Sequence, residues 1–186
     1  MGAGLSIGLC CSAGRAEAAP RHQGFTGDLG IGVSLMNVPS FSTSCGPYGG
    51  CTPVPRSSHF GLAPLSLSLG GFITPRVALL ARAAGTSYFE DGTQMTHNFY
   101  GIIAEVWPID EIFVSGGVGL GLYGPNPLFS RSSREAVGGW ALDFRIGAAL
   151  AQGTNHDFTL ALEAIPGFYD GETVQGFALV GAWKWY

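Results

Sequence analysis

The chain contains 186 residues, of which 12% are charged and 30 are glycine. This length suits one domain with a full-sized core, but the charged fraction is roughly half that of a typical soluble domain, which argues against a soluble monomer. The net charge of −4 comes without any basic run, so nucleic acid is not an expected partner.

The first predicted element is a targeting segment. Residues 4–14 are apolar, and Ala16-Glu17-Ala18 follows them with the small-x-small pattern of a signal-peptidase site. We therefore expect residues 1–18 to be a signal peptide and residues 19–186 to be the exported domain.

Beyond this segment, large apolar residues alternate with small or polar ones. Residues 112–123 show the pattern well, because Val118, Leu120 and Leu122 lie on one parity and Gly117, Gly119 and Gly121 on the other. A period of two predicts a strand with one apolar face, whereas a helix would mix the two classes around its circumference. The same alternation predicts eight strands, at residues 25–35, 65–69, 77–84, 100–106, 112–123, 140–150, 158–164 and 177–185.

The connections between these strands alternate in length. Longer, polar or turn-rich segments are expected near residues 37–58, 86–97, 124–138 and 167–173, and shorter ones near 70–75, 108–110 and 152–157. This alternation is typical of outer-membrane barrels, whose short turns face the periplasm. An open sheet cannot cross lipid, because its edge groups would be unpaired. We therefore predict a closed, antiparallel, up-and-down transmembrane barrel of eight strands, with both termini in the periplasm.

Two cysteines lie in the first long connection. Cys45 and Cys51 are separated by Gly and Pro residues that let a short loop close, and an exported protein meets an oxidising compartment. We predict a disulfide between them. The alternatives are two free thiols or half of a metal site, although two cysteines without nearby histidines are poor zinc ligands.

Aromatic residues cluster where the predicted strands should meet the membrane interfaces, as in the aromatic girdles of such barrels. The group expected near the short turns is Trp107, Phe158, Trp183, Trp185 and Tyr186. The group expected near the long connections is Tyr88, Tyr100, Tyr123, Trp140 and Tyr169.

These features resemble the small outer-membrane β-barrel proteins of Gram-negative bacteria. The resemblance covers residues 24–186 and includes the final Trp183-Lys184-Trp185-Tyr186, since members of that group end on an aromatic residue that the barrel-assembly machinery is thought to recognise. Residues 70–80 look like a turn common in uncharacterised outer-membrane β-barrel domain proteins. The resemblance implies a location in the bacterial outer membrane, with membrane lipid and the assembly machinery as partners.

Ionisable residues within the predicted strands fall on the parity opposite to the apolar one. If the apolar parity faces lipid, a lumen charge network follows, which consists of Arg82, Glu105, Asp143, Arg145, Glu163 and Lys184. An eight-stranded barrel is too narrow for an open aqueous channel, so these groups must pair inside it. The resemblance supports this, because outer membrane protein A and its relatives carry interior salt bridges. Asp28 is the odd anion, which we expect nearer the periplasmic mouth, within reach of water.

The sequence predicts a structural or surface-interaction role and no enzymatic activity. A small-solute or ion pore is the main alternative. A soluble lipocalin-like barrel is another, but it would require the apolar parity to face inward and small residues to dominate the outer wall.

A lipid-modifying outer-membrane enzyme is the last alternative, since such chemistry needs a nucleophile beside a base. His59 follows Ser57 and Ser58, and His97 lies near Glu90 and Asp91, all at the expected outer rim. No motif indicates a metal or a cofactor, and Gly116-Gly117-Val118-Gly119 lies in a strand, not in a phosphate-binding loop.

Overall fold

The chain forms a closed antiparallel β-barrel, in a computed structural model that describes residues 23–39, 43–45, 51–53, 56–90, 92–126 and 136–186. The strands are β1 (Phe25–Val38), β2 (Thr43–Cys45), β3 (Cys51–Pro53), β4 (Ser57–Thr74), β5 (Val77–Glu90), β6 (Thr93–Ile109), β7 (Ile112–Pro125), β8 (Val137–Gln152), β9 (His156–Tyr169) and β10 (Glu172–Trp185). Eight of them close in the order β1-β10-β9-β8-β7-β6-β5-β4. The predicted eight-stranded, up-and-down, all-β fold is confirmed. Among the described residues, no helix is long and apolar enough to cross a membrane.

The alternation in the sequence sets the two faces of the barrel wall. Side chains of successive residues point to opposite faces of a strand, so one parity points outward and the other lines the lumen. On β1, Ile31 is 69% exposed, whereas Ser34 and Asp28 are buried. The outward parity is large and apolar on nearly every strand, which is the opposite of what a soluble, lipocalin-like barrel requires.

Two of the predicted long connections are only two residues long. Strands β5 and β6 continue through most of residues 86–97 and leave only residues 91–92 between them. Strands β9 and β10 are joined by Asp170 and Gly171, whose φ values of 43° and 86° give the left-handed backbone of a two-residue hairpin. The polar residues that suggested long loops belong instead to strands β5, β6, β9 and β10, which are longer than predicted.

The remaining connections follow the expected pattern. Residues 75–76, 110–111 and 153–155 join strands at the end of the barrel where β1 begins and β10 ends. Residues 39–56 and 126–136 join strands at the opposite end, which we call the outer end, and residues 91–92 and 170–171 lie there too.

The aromatic residues divide between the two faces of the wall, so the predicted girdles are only partly right. Tyr100, Trp140, Phe158 and Trp183 point outward and are 42–52% exposed. The lumen instead contains Tyr88, Trp107, Tyr123 and Tyr169, all of which are buried. These four residues share the parity of the inward residues on their strands. Whether an aromatic side chain meets lipid therefore depends on its parity and not only on its distance from the strand end.

Strands β2 and β3 form a separate two-stranded hairpin within the first outer connection. Their antiparallel register places Cys45 opposite Cys51. The side chains of both residues lie outside the described part of the structure, so the disulfide stays a prediction. The predicted signal peptide, residues 1–18, also lies outside the described residues.

Candidate functional site

The seven charged residues discussed above lie on six strands of the barrel. They are Asp28 on β1, Arg82 on β5, Glu105 on β6, Asp143 and Arg145 on β8, Glu163 on β9 and Lys184 on β10. Each occupies the lumen-facing parity of its strand, and none is more than 5% exposed. The structure therefore brings all six predicted network residues, together with Asp28, into the lumen.

Arg82 binds two carboxylates from the opposite wall. Its Nε donates to Asp143 Oδ2, and its Nη2 donates to Glu163 Oε2 at 2.7 Å. Its Nη1 donates to Ser68 Oγ at 2.8 Å on the neighbouring strand. A planar guanidinium can hold several acceptors at fixed angles, as here, which a lysine ammonium cannot do in the same way.

Lys184 forms the second close ion pair. Its Nζ lies 2.6 Å from Glu105 Oε1, and the same oxygen accepts a hydrogen bond of 2.8 Å from the Trp107 indole. The ammonium also lies 5.6 Å from the centre of the Trp107 ring and 5.8 Å from that of Phe113. Because aromatic faces attract cations, these two rings hold the Lys184 charge in a part of the lumen that water does not reach.

Arg145 lies between the Arg82 group and the Lys184–Glu105 pair and contacts its carboxylates at longer distances. Its Nη1 donates to Asp28 Oδ2 at 3.4 Å, its Nε lies 3.8 Å from Glu163 Oε2, and its guanidinium carbon lies 5.3 Å from the Phe113 ring centre. Through Glu163, Arg145 joins the Arg82 group to the remainder of the network.

Asp28 lies at the centre of this network, and the prediction that it would lie near water was wrong. The residue is 1% exposed. Its carboxylate oxygens lie 3.7 Å from a side-chain nitrogen of Arg82, 3.4 Å from one of Arg145 and 3.7 Å from that of Lys184. The reason is register: β1 pairs Asp28 directly with Lys184 on one side and with Ser68 on the other. With Asp28 included, three cations meet four anions.

Apolar and aromatic side chains fill the lumen on both sides of the charges. Trp107 packs against Phe113 and Tyr186 near the end with the short turns. Leu80, Phe99, Ile103 and Ile165 belong to one buried cluster within the lumen. A second cluster near the outer end contains Met36, Tyr88, Tyr123, Tyr169 and Val174.

His97 is a lumen residue that the sequence interpretation misplaced. We expected it at the outer rim beside Glu90 and Asp91, but it is fully buried on the inward parity of β6. Within the described part of the chain, neither ring nitrogen has a hydrogen-bond partner, and the same is true of Tyr169 Oη and Thr86 Oγ1. Counting in steps of two from Glu105 along β6 reaches His97, so its inward orientation was available from the sequence.

The other histidine of interest lies at the outer rim, as expected. His59 Nε2 lies 2.8 Å from Ser57 Oγ, and the His59 ring stacks on Tyr88 with 4.0 Å between ring centres. Among the contacts described for His59, no carboxylate completes a catalytic triad. The described residues also contain no group of three His, Cys, Asp or Glu side chains that could hold a metal ion.

Comparison with solved structures gives the same architecture. The crystal structure of Neisserial surface protein A matches 87% of this chain and 96% of its own, with a TM-score of 0.60 and 14% identity. The chain has the fold of a small outer-membrane β-barrel. The solid-state NMR structure of outer membrane protein AlkL in DMPC lipid bilayers matches 88% of this chain and 90% of its own, with a TM-score of 0.52 and 13% identity. No protein-family model matches the sequence, and comparison with curated proteins also finds no match.

The fold and the apolar outer wall together place the chain in the bacterial outer membrane. The described outward residues include Leu29, Ile102, Leu120, Ile146 and Leu162, all at least 48% exposed. A wall of this kind is unfavourable in water and is the one that a barrel presents to lipid.

Proposed function

We propose that the protein is a non-enzymatic outer-membrane barrel with a closed lumen, which acts through the surface of its outer end. The observation that supports a closed lumen most directly is the charge network. Its ion pairs connect β5 to β8 and β9, and β10 to β6, so the side chains cross the interior. Opening a continuous water path would require several buried ion pairs to separate.

A surface role is supported by how far the β5–β6 hairpin extends at the outer end of the barrel. On the outward parity of β6, the apolar residues end at Tyr100. Asn98, Thr96 and Gln94 lie between it and the turn, and Thr96 and Gln94 are each 7% exposed. Tyrosine is typical of the interface between lipid and water. We infer that the hairpin extends from Phe99 to its turn beyond the membrane surface, with Phe89, which is 68% exposed, near its tip.

Planar-bilayer conductance tests the closed lumen. We expect the purified, refolded protein to give no unitary conductance steps at neutral pH. The matched control is the double variant Arg82→Ala, Lys184→Ala, which removes two large side chains from the network and should leak if it folds. Steps of equal size from the wild type and the control would contradict the closed lumen and favour the small-solute or ion pore.

The proposed surface role also requires a defined orientation. In a Cys45→Ser, Cys51→Ser background, Glu172→Cys at the outer end should react with a membrane-impermeant maleimide on whole cells. Thr154→Cys, at the other end, should react only after the cells are broken. The reverse pattern would contradict both the orientation and the surface role.

A lipid-modifying enzyme remains a second candidate because of one contact. The 2.8 Å distance between Ser57 Oγ and His59 Nε2 is that of a nucleophile and its base. A fluorophosphonate probe should leave the protein unlabelled if the role is non-enzymatic. Labelling that disappears in Ser57→Ala would support the enzyme.

The proposal includes two partners, outer-membrane lipid around the wall and the barrel-assembly machinery during insertion. Strand β10 is the expected contact for the machinery, because it pairs with β1 to close the barrel. Crosslinking from an outward position of β10, such as Leu179, during assembly would test this contact.

A further inference from the structure

The lipid-facing wall contains a groove of about 590 Å³. It lies between two rows of outward side chains that cross neighbouring strands. One row places Phe144 on β8 beside Ala164 on β9 and Phe177 on β10. The other row places Ile146, Leu162 and Leu179 beside one another on the same three strands. The groove thus runs across the strands and not along them.

The groove exists because a small residue lies between two large ones. Ala164 ends at its methyl group, whereas Phe144 and Phe177 on either side are 50% and 42% exposed and project from the wall. The parallel row of Ile146, Leu162 and Leu179 forms the other side. Between the rows, Arg145 and Glu163 turn their side chains into the lumen, so the floor of the groove carries no outward charge.

The dimensions of the groove suit an extended apolar chain. It reaches from Ser115 on β7 through β8, β9, β10 and β1 to Phe60 on β4. Five steps between neighbouring strands, at about 4.8 Å each, give a length of about 24 Å. Because strands of such barrels tilt by about 35–45°, a groove across them is also inclined to the membrane normal and can be followed by a lipid tail.

We propose that this groove is a specific binding site for one acyl chain of an outer-membrane lipid. The groove is continuous with the lipid-facing wall on all sides, and its side-chain lining is apolar where it faces outward. A chain seated there contacts Phe144 and Phe177 on one side and Leu162 on the other, and it exchanges with bulk lipid more slowly than the lipid around the rest of the wall.

Native mass spectrometry of protein extracted from native membranes in mild detergent tests the site. The wild type should retain one lipid molecule. Ala164→Phe fills the space between Phe144 and Phe177. This variant should reduce the lipid-bound fraction about tenfold, because the acyl chain loses contact with the protein over about two methylene groups. The matched control is Ala104→Phe, the same change on the outward face of β6, which is not part of the groove and should retain lipid as the wild type does.

The fold of each variant is checked by gel mobility with and without boiling, since a folded barrel migrates differently when it is not heated. Phe177→Ala, which removes one side of the groove, should lower retention as well and does not depend on inserting a larger residue. Equal lipid retention by wild type, Ala164→Phe and Ala104→Phe would overturn the proposal. So would a lipid-free wild type that forms dimers which Ala164→Phe dissociates, because a second copy would then occupy the groove.

Discussion

Arg82 and Glu163 are 81 positions apart in the sequence, yet Arg82 Nη2 lies 2.7 Å from Glu163 Oε2. The contact joins β5 to β9, which are not neighbours in the barrel. Strand pairing alone therefore does not bring the two residues together. Both must point into a lumen narrow enough for side chains from opposite walls to meet, which is the case in an eight-stranded barrel.

Arg82 is expected to be the most important cation of the network for stability. It contacts Asp143, Glu163 and Ser68 closely, whereas Arg145 lies 3.4 Å and 3.8 Å from its carboxylates. Arg82→Met should lower the free energy of unfolding by about 3–5 kcal/mol, since it removes the cation that binds buried Asp143 and the 2.7 Å partner of Glu163.

Arg145→Met serves as the matched comparison and should cost at least about 1 kcal/mol less. Urea titration of both variants in lipid vesicles gives the two values. A larger loss for Arg145→Met would mean that the distances in the network do not rank its ion pairs.

The parity of the network residues could be predicted from the sequence, but their partners could not. Which side of a strand a residue occupies follows from alternation within a few residues. Which cation meets which anion depends on the stagger between strands and on how the barrel closes. Asp28 shows the difference: its inward orientation follows from β1 alone, whereas its contacts with Arg82 and Arg145 depend on closure of the barrel.

Strand ends at the outer end were the least predictable part of the fold. Residues 86–97 are polar enough for a loop, and yet β5 and β6 pair throughout most of them. Polar residues suit a loop, and they equally suit a hairpin that extends beyond the lipid. Local composition cannot separate the two.

The close packing of His97 against the wall gives a second prediction. A Cβ atom at Gly167 would lie 2.5 Å from His97 Nε2 and 2.6 Å from Tyr169 Oη, which is too close. Gly167→Ala should therefore force both rings to shift and destabilise the barrel by about 1–3 kcal/mol. Urea titration of the variant and the wild type gives the difference in the free energy of unfolding.

Gly138→Ala is the control for this substitution. A Cβ atom there meets only Leu122 Cδ2, at 3.7 Å, which is an ordinary contact. The variant should unfold within about 0.5 kcal/mol of the wild type. If both alanine variants behave alike, the lumen around His97 is looser than the structure indicates.

The predicted disulfide concerns only the first outer connection. Antiparallel pairing of Cys45 with Cys51 is compatible with a bridge that links β2 to β3. Closing so short a loop would stabilise by about 2–3 kcal/mol on loop-entropy grounds. Strands β2 and β3 are not part of the barrel sheet. Cys45→Ser should therefore keep the same difference in gel mobility between boiled and unboiled samples as the wild type.

Alkylation of the folded wild type without reductant tests the bridge itself. We expect no labelling of Cys45 or Cys51 until reductant is added, after which both should react. Immediate reaction of both thiols in the folded protein would show that they are free.

The final prediction separates the loss of a charge from the loss of an ion pair. Glu105→Ala leaves Lys184 buried without its 2.6 Å partner and removes the acceptor of the Trp107 indole. We expect the free energy of unfolding to fall by about 3–5 kcal/mol, as for other buried pairs that lose one member. The double variant Glu105→Ala, Lys184→Met removes both charges and keeps an unbranched side chain beside the Trp107 and Phe113 rings.

This double variant should be more stable than Glu105→Ala alone, because an apolar replacement of a buried pair carries no unpaired charge. Urea unfolding in lipid vesicles compares the two variants with the wild type, and gel mobility without boiling confirms that each has folded. If the double variant proves as unstable as the single one, the Lys184 charge is satisfied by Asp28 alone, at 3.7 Å, and Glu105 contributes to stability through the Trp107 hydrogen bond and packing.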